Sequence, residues 1–550
     1  MKKIVIEKIN KVLETLGVNL AGEFSVDEPP KVDLGDWASN VALIVAGRLK
    51  ENPRAVAEKI KGELIKDDDI LNIEIAGPGF VNISLKPEIY FSELSKILQQ
   101  KEDYGKTNTG QGKIANVEYV SANPTGPLHI GNARSGPIGE TIGNVMKFCG
   151  YSVVREFYVN DVGIQIGRFG RSLYFWYAKK QNEATEFPEG GYPGEYIRET
   201  SSRIQSVFAS ELNEISQESD FIDFFAKEGL KMMVEGIKTD LVLAGIEFDK
   251  WSFESEILAG KYSDEIVEKL ESLGNTVEKD GAIWFKRPDD PDLLDTESVL
   301  VKSDQNHSLT YFANDIAYHL DKMKRGAELM IDVWGSNHFG HIPRMKAALR
   351  ALGYPEDVLE IILYQYVRLK KAGEATSMGK RLGNFVTLRA VIEAGVEPDA
   401  FKYFILSQNS NTPFAFDIEL AADTTEKNPV FYIKYAHARI CSILRKAGET
   451  EISPNVDLSP LVDPKELVLL RELAKLPGIV EVVATDFQIQ MLPHFAYRIA
   501  TLFHDFYNSC KVIGAETKEI ETARLALIVA TRHILASCLN LCGIKAPEKM

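Results

Sequence analysis

Two short stretches carry residue types that can do chemistry on phosphate. The first is Ser121-Ala-Asn-Pro-Thr-Gly-Pro-Leu-His-Ile-Gly-Asn132; the second is Ser377-Met-Gly-Lys-Arg-Leu-Gly-Asn384. In the first, His129 and Asn132 offer hydrogen-bond donors at a loop-to-helix step, where a helix start adds partial positive charge. Gly131 lacks a Cβ, so a base or phosphate can approach the backbone. Pro124, Gly126 and Pro127 constrain the loop ahead of it. In the second, Lys380 and Arg381 supply cations, and Gly379 and Gly383 leave the loop free to close. Closure of that kind stabilises charge developing on a leaving pyrophosphate. Alone, His129 reads as a packed or solvated histidine and Lys380-Arg381 as a solvated face. Their order along the chain, and the strand ahead of His129, favour an ATP site. The sequence has neither a P-loop nor a His-Glu-x-x-His pattern.

These residues need a scaffold. Val117–Val120 reads as a strand, 133–148 as a helix and Val153–Val159 as the next strand. Further strands are expected at Leu329–Trp334 and Ile361–Val367. Short apolar strands alternating with helices predict a doubly wound parallel sheet, whose ligands bind beyond the carboxyl ends of the strands. The stretch from about 180 to 300 interrupts that alternation and reads as an acidic, helical insertion. Residues 1–110 read as a small α/β domain: Asn52-Pro-Arg restarts a helix, and strands at Ile70–Ile75 and Phe80–Leu85 flank Gly77-Pro-Gly79. Residues 111–420 form the catalytic section, and 421–550 read as an all-α helical bundle.

The bulk composition is that of a globular chain. At one domain per roughly 150 residues, 550 residues suggest three or four domains. Net charge is -16, which argues against indiscriminate binding to nucleic acid. That excess lies outside the last section: Ala421–Met550 holds 15 Lys+Arg and 15 Asp+Glu. Five cysteines without a second Cys/His pair beside Cys538 and Cys542 predict reduced buried thiols, a cytosolic setting and no metal site. The start lacks a long apolar core, so no signal peptide is expected. Leu525–Leu541 is broken by Arg532 and His533 and reads as a packed helix, with no membrane partner.

The two stretches resemble the signature motifs of class I aminoacyl-tRNA synthetases, written HIGH and KMSKS. More specifically, Val117–Arg134 resembles the block around the first motif in arginyl-tRNA synthetases, as does Phe157-Tyr-Val-Asn-Asp-Val-Gly-Ile-Gln165. Tyr311-Phe-Ala-Asn-Asp-Ile-Ala-Tyr-His319 is similar to that family's substrate-pocket helix, and Phe431–Ile440 to the opening of its anticodon-binding bundle. Gly35–Asn40, Ala76–Asn82 and the ending Leu541–Met550 also fit, so the resemblance spans essentially the full length.

The resemblance implies a Rossmann-like catalytic domain acting on ATP (with Mg²⁺), L-arginine and tRNA(Arg), in a cytoplasmic monomer. Arginine's planar guanidinium suits a carboxylate and a hydroxyl in fixed geometry. Tyr311 and Asp315, four apart on one helix face, match the guanidinium positions. Ser121, Asn123 and Gln165 match positions that hold the amino-acid backbone and head, with Glu118 assisting through an ion pair. His129, Gly131, Asn337, His338, Met378 and Lys380 match ATP-contacting positions; His129, Asn132, Lys380 and Arg381 match the catalytic ones. A site that hydrogen-bonds the whole guanidinium rejects analogues by about 10⁴-fold, so no editing domain is required.

The chain departs from the generic motifs. Asn132 replaces a histidine, Ser377-Met-Gly-Lys380 replaces Lys-Met-Ser-Lys, and Asn337 stands where an aspartate is common. The rival readings are another class I synthetase, a nucleotidyltransferase of the same fold acting on a small molecule, and a non-catalytic RNA-binding relative. The long helical C-terminal section argues against the second, and retention of His129, Lys380 and Asp315 against the third. Tyr432, Tyr435, His437 and Arg439 are candidate RNA-facing groups, though aromatics at helical spacing are more often core; individual tRNA contacts stay unassigned.

Overall fold

Five short runs bounded by turns form the central sheet: β1 (Ile114–Glu118), β2 (Ser152–Val159), β3 (Lys250–Phe253), β4 (Ala327–Gly335) and β5 (Leu359–Tyr364). Their spatial order is β5-β4-β1-β2-β3, and every pair is parallel. The computed structural model describes all residues except 21, 32–33, 182–185, 261, 287–297, 305–307, 372–373, 377–385 and 449–450. Chain order reverses between β1 and β4, which opens a crevice at the carboxyl ends of those two strands. The loops that leave β1 and β4 therefore face one another across the switch point.

Alternation along the strands feeds two separate cores. Ile331 and Val333 of β4 join one core with Ile138, Ile142 and Val145 of the Ser135–Phe148 helix. Met330 faces the other, with Phe312, Ile316 and Leu320 of the Tyr311–Lys324 helix. That is the period of two expected of a sheet covered on both faces.

Three expectations need correction. The first strand ends at Glu118 and not at Val120, because Val120 and Ser121 adopt φ of 68° and 35° and turn the chain out of the ladder. The strand expected over Ile361–Val367 is two strands: β5 ends at Tyr364, the Gln365 N–H bonds the Ser410 carbonyl at 2.9 Å, and Val367–Lys371 then pairs in parallel with Phe414–Asp417. The helical insertion over about 180–300 is interrupted by β3, an edge strand of the central sheet, and by an antiparallel sheet of Thr276–Lys279, Ala282–Phe285 and Ser298–Val301. Apolar burial explains β3: the Trp251 ring stacks on Phe157 at 4.3 Å and meets Phe248 edge-on at 5.6 Å.

The N-terminal section is a four-stranded antiparallel sheet with helices. Its hairpin, Ile70–Ala76 with Phe80–Leu85, turns through Gly77 and Gly79, both at positive φ. Asn52 caps the Pro53–Leu64 helix by accepting from the N–H groups of Arg54 and Ala55. The C-terminal section contains helices Pro429–Ala447, Pro464–Leu473, Leu476–Asp486, Met491–Ser509 and Lys518–Leu541. The last has the length and apolarity of a membrane span, but 89% of its apolar window is buried within the protein, where it forms the inner helix. All five cysteines are buried and free.

Candidate active site

The loop leaving β1 is strained. Val120 is β-branched and sits at positive φ, a conformation costing on the order of 1–3 kcal/mol unless its surroundings impose it. The surroundings do. The Val120 N–H donates to Ser135 Oγ at 3.1 Å, and the Ser121 N–H donates to the Tyr119 carbonyl at 2.9 Å. Ser121 Oγ donates to Glu118 Oε1 at 2.8 Å and accepts from the Tyr158 N–H at 3.1 Å. The Ser121 hydroxyl thus anchors the loop with its proton and one of its two acceptor sites.

His129 caps the Ile130–Ala133 turn, its Nδ1 accepting from the Asn132 N–H at 3.1 Å. In a neutral ring the proton is then on Nε2. A Cβ at Gly131 would lie 3.0 Å from Cε1 and Nδ1 of the His129 ring, so Gly131 is what allows the ring to fold over its own turn. The same loop is tied to a distant segment. The Ile130 N–H donates to the Val386 carbonyl at 3.1 Å, the Leu388 N–H donates to the Leu128 carbonyl at 2.8 Å, and His129 bridges Thr387. Val386–Leu388 follows directly after the second motif. Met378, Gly379, Lys380 and Arg381 lie outside the described residues, but the chain emerging from them is hydrogen-bonded to the His129 loop.

Arg134, which follows the His129 turn, ties it to the segments around Gln365 and Asn409–Thr412. It is fully buried, with its guanidinium donating to the carbonyls of Gln365 (2.7 Å), Thr412 (3.0 Å) and Asn409 (2.9 Å), and lying 4.8 Å from the centre of the Phe414 ring. Burial pushes its pKa down to about 10, which leaves it charged at neutral pH.

The predicted amino-acid residues converge on one rim of the crevice. Asn123 Nδ2 donates to Gln165 Oε1 at 3.1 Å. Thr310 caps the Tyr311–Lys324 helix, so Tyr311 occupies its first position and Asp315 lies one turn on. Gly163 has φ of 86°, which favours glycine, and a Cβ there would crowd the Tyr311 hydroxyl at 3.0 Å. Tyr311 is 55% exposed, open to a ligand. Asp315 Oδ2 accepts from His341 Nε2 at 2.8 Å. Asn337 and His338 are exposed at the end of β4, and a Cβ on Gly335 would come within 2.7 Å of Asn337 Oδ1.

Two further carboxylates make this rim acidic. Asp161 accepts from the Ser255 N–H and hydroxyl at 2.9 and 2.5 Å. Glu254 is buried and accepts from Asn314 Nδ2 at 3.2 Å. Burial first, then the charges of Asp315 and Asp161, raise its pKa to about 7. A cation arriving there relieves that repulsion.

Beneath the rim lies a buried charge relay. Lys322 Nζ donates to Glu118 Oε2 at 2.6 Å and to Asp332 Oδ1 at 2.8 Å, while His319 Nε2 lies 2.8 Å from Asp332 Oδ2. Lys322 and Asp332 are fully buried. Burial opposes ionisation of Asp332, but Lys322 and then His319 outweigh it and hold the carboxyl at about 2. The ion pair expected of Glu118 is therefore with Lys322. The pair links the Ser121 anchor to the helix that carries Asp315, whose carbonyl oxygen lies 2.7 Å from His319 Nδ1.

Lys322, Asp332, His319, His341, Glu254, Asp161 and Arg134 escaped the sequence reading. A signal existed for some. Asp315, His319 and Lys322 recur at helical spacing, and Asp332 interrupts an apolar strand with a charge. One candidate moves: His437 is 4% exposed, with Nδ1 bonded to the Pro547 carbonyl at 2.8 Å, so it ties down the C-terminus and faces no RNA. Tyr432 and Tyr435 instead gather with His504 (ring centres 4.9 and 6.1 Å), and Arg439 lies 4.6 Å from the centre of the Tyr507 ring.

Comparison with known proteins identifies the family of each section. Residues 93–412 match the model of the class I (R) tRNA synthetase catalytic domain, residues 2–85 that of the arginyl tRNA synthetase N terminal domain, and residues 433–550 that of the DALR anticodon binding domain. An arginine–tRNA ligase of Caldanaerobacter subterraneus subsp. tengcongensis is 38% identical, covering 100% of this chain and 98% of its own. One from Shouchella clausii is 41% identical, covering 94% and 92%. The arginyl-tRNA synthetase structure of Thermus thermophilus, 21% identical, shares the fold with a TM-score of 0.79 over 100% of both chains. With the catalytic-domain model spanning more than half of its length, the chain belongs to the arginyl-tRNA synthetase family of class I aminoacyl-tRNA synthetases.

Proposed function

We propose that this chain is an arginine–tRNA ligase that activates L-arginine with ATP and passes the arginyl group to the 3′-terminal ribose of tRNA(Arg). The observation that carries the reading is the juxtaposition at the β1/β4 switch point. An acidic rim bearing Tyr311 and Asp315, with Asn123 and Gln165 beside it, shares one crevice with the His129 turn. In this reading the arginine carboxylate attacks the α-phosphorus in line and pyrophosphate leaves with the Mg²⁺ that arrived on ATP. No protein nucleophile is required. Tyr311 and Asp315 take the guanidinium, and Asn123 and Gln165 the amino-acid head. Ser121 holds the loop through its hydroxyl and keeps a second acceptor site for the amino-acid head. His129, Gly131, Asn132, Asn337 and His338 serve the nucleotide together with Met378, Lys380 and Arg381. The enzyme contributes positioning and preorganised charge.

The proposed division of labour is an N-terminal tRNA-contacting section over 1–110, catalysis over 111–420 and anticodon binding over 421–550. Support for the last comes from the exposed Tyr497 beside Tyr432, and from the Arg439–Tyr507 pair, a surface on which unpaired bases can stack. We propose a cytoplasmic monomer with no membrane partner. Aminoacylation assays with each of the twenty amino acids and total tRNA test the activity: arginine alone should be charged, and charging of another amino acid, or none, refutes it. We further propose that activation waits for bound tRNA. Robust arginine-dependent ATP–pyrophosphate exchange without tRNA would refute that part.

A further inference from the structure

A carboxylate that must grip a guanidinium has to be held in one orientation, and a side chain at the start of a helix is not held by the helix alone. Asp315 is held from outside by His341, which follows β4 in the Ser336–His341 turn. Its Nε2–H donates to Asp315 Oδ2 at 2.8 Å, and Oδ1 has no hydrogen bond among the described residues. The imidazole is itself fixed by aromatic packing. Phe312 meets it edge-on with ring centres 5.5 Å apart, and Trp334 lies 5.8 Å away. The His341 side chain is 18% exposed and that of Asp315 35%. The donor is therefore the buttressed member of the pair, and the acceptor is the one open to ligand.

We infer that His341 is a positioning residue for arginine recognition: its Nε2–H occupies Asp315 Oδ2 and turns Oδ1 to the guanidinium. This rests on the reading of Asp315 as the guanidinium partner. It implies that Asp315 meets the substrate through one oxygen. It also implies that Phe312 and Trp334 affect arginine affinity without touching arginine. Because His341 sits in the loop leaving β4, alongside Asn337 and His338, the nucleotide-side loop and the amino-acid pocket share one support.

Aminoacylation kinetics with tRNA(Arg) and saturating ATP test the inference. His341→Phe keeps a ring between Phe312 and Trp334 but removes the donor; His341→Gln restores a donor on a flexible arm. His341→Phe should raise KM for arginine about tenfold, the scale of one charge-assisted hydrogen bond, with kcat little changed. His341→Gln should recover most of that loss. Asp315→Asn should raise KM by about 10²-fold or more, and the double variant should be no worse than Asp315→Asn alone, because His341 acts only through Asp315. An unchanged KM in His341→Phe overturns the inference, as does a fall in kcat at unchanged KM or an additive double variant. If Asp315→Asn itself leaves KM unchanged, the arginine-pocket reading fails first, whatever His341→Phe does.

Discussion

Replacing Lys322 by Met should destabilise the catalytic section more than any surface substitution. Lys322 is fully buried, and it is the cation shared by Glu118 and Asp332 at 2.6 and 2.8 Å. Met fills a similar volume and removes the charge, leaving two buried carboxylates to share what His319 offers. Breaking a buried pair from one side costs about 3–5 kcal/mol, because the partner stays buried and uncompensated. Counting the hydrogen bonds gives the same scale: two bonds to charged groups at about 1.5–3 kcal/mol each. At roughly 2–4 °C per kcal/mol, the calorimetric transition of this section should fall by about 10 °C. The cost should also depend on the partner. In the double variant Lys322→Met/Asp332→Asn, one orphaned carboxylate is gone and the new amide can still face His319. The double variant should therefore be less damaging than the sum of the singles by about 1–3 kcal/mol. A loss below about 1 kcal/mol for Lys322→Met, or strict additivity in the double variant, would refute the claim that these charges compensate one another.

Other outcomes follow from the same geometry. Arg134→Lys keeps the charge but loses the fork to three carbonyls, and should cost about 2–5 kcal/mol while slowing activation; a stopped-flow and melting comparison checks both. Lys380→Ala should lower kcat for activation by at least about 10²-fold, and an unchanged rate would count against the proposed phosphate chemistry. His533 is buried, and burial first, then Arg532 and Lys101, push its pKa down to about 4 from 6.5. Between those values the unfolded chain binds a proton that the folded chain does not, so stability should fall by up to about 3 kcal/mol as pH drops from 6.5 to 4. His533→Gln should flatten denaturant midpoints across that window, and an unaltered pH slope would exclude His533 as the source.

The parts of the site that were legible in the sequence are those set by local chemistry. The His129–Asn132 turn announces itself through a loop-to-helix step, a glycine and a preceding strand, whereas Tyr311 and Asp315 stand out only through the resemblance to the family's substrate-pocket helix. The parts that were not legible depend on which strands become neighbours. Glu118 lies 204 residues before Lys322, and the β4-β1 pairing with the helix over it brings it to the Lys322–Asp332 pair. The ends of β1 and β5 were misjudged for a related reason: Val120 and Gln365 have extended-favouring neighbours, but hydrogen bonds to Ser135 and Ser410 pull the backbone aside. β3 was hidden because four residues inside an acidic helical stretch carry almost no periodicity; the ladder to β2 and the stacking of Trp251 on Phe157 fix them.

Arg134 has one more consequence. Its charge is met by carbonyl dipoles and an aromatic face, with no carboxylate partner among the described residues. A protein of net charge -16 thus carries, just after the His129 turn, a buried positive charge that no carboxylate among the described residues pairs with. Because it is buried, mobile ions screen it less than they screen a surface lysine. Anions approaching that turn should feel an attraction that survives at salt concentrations where exposed cations have lost theirs.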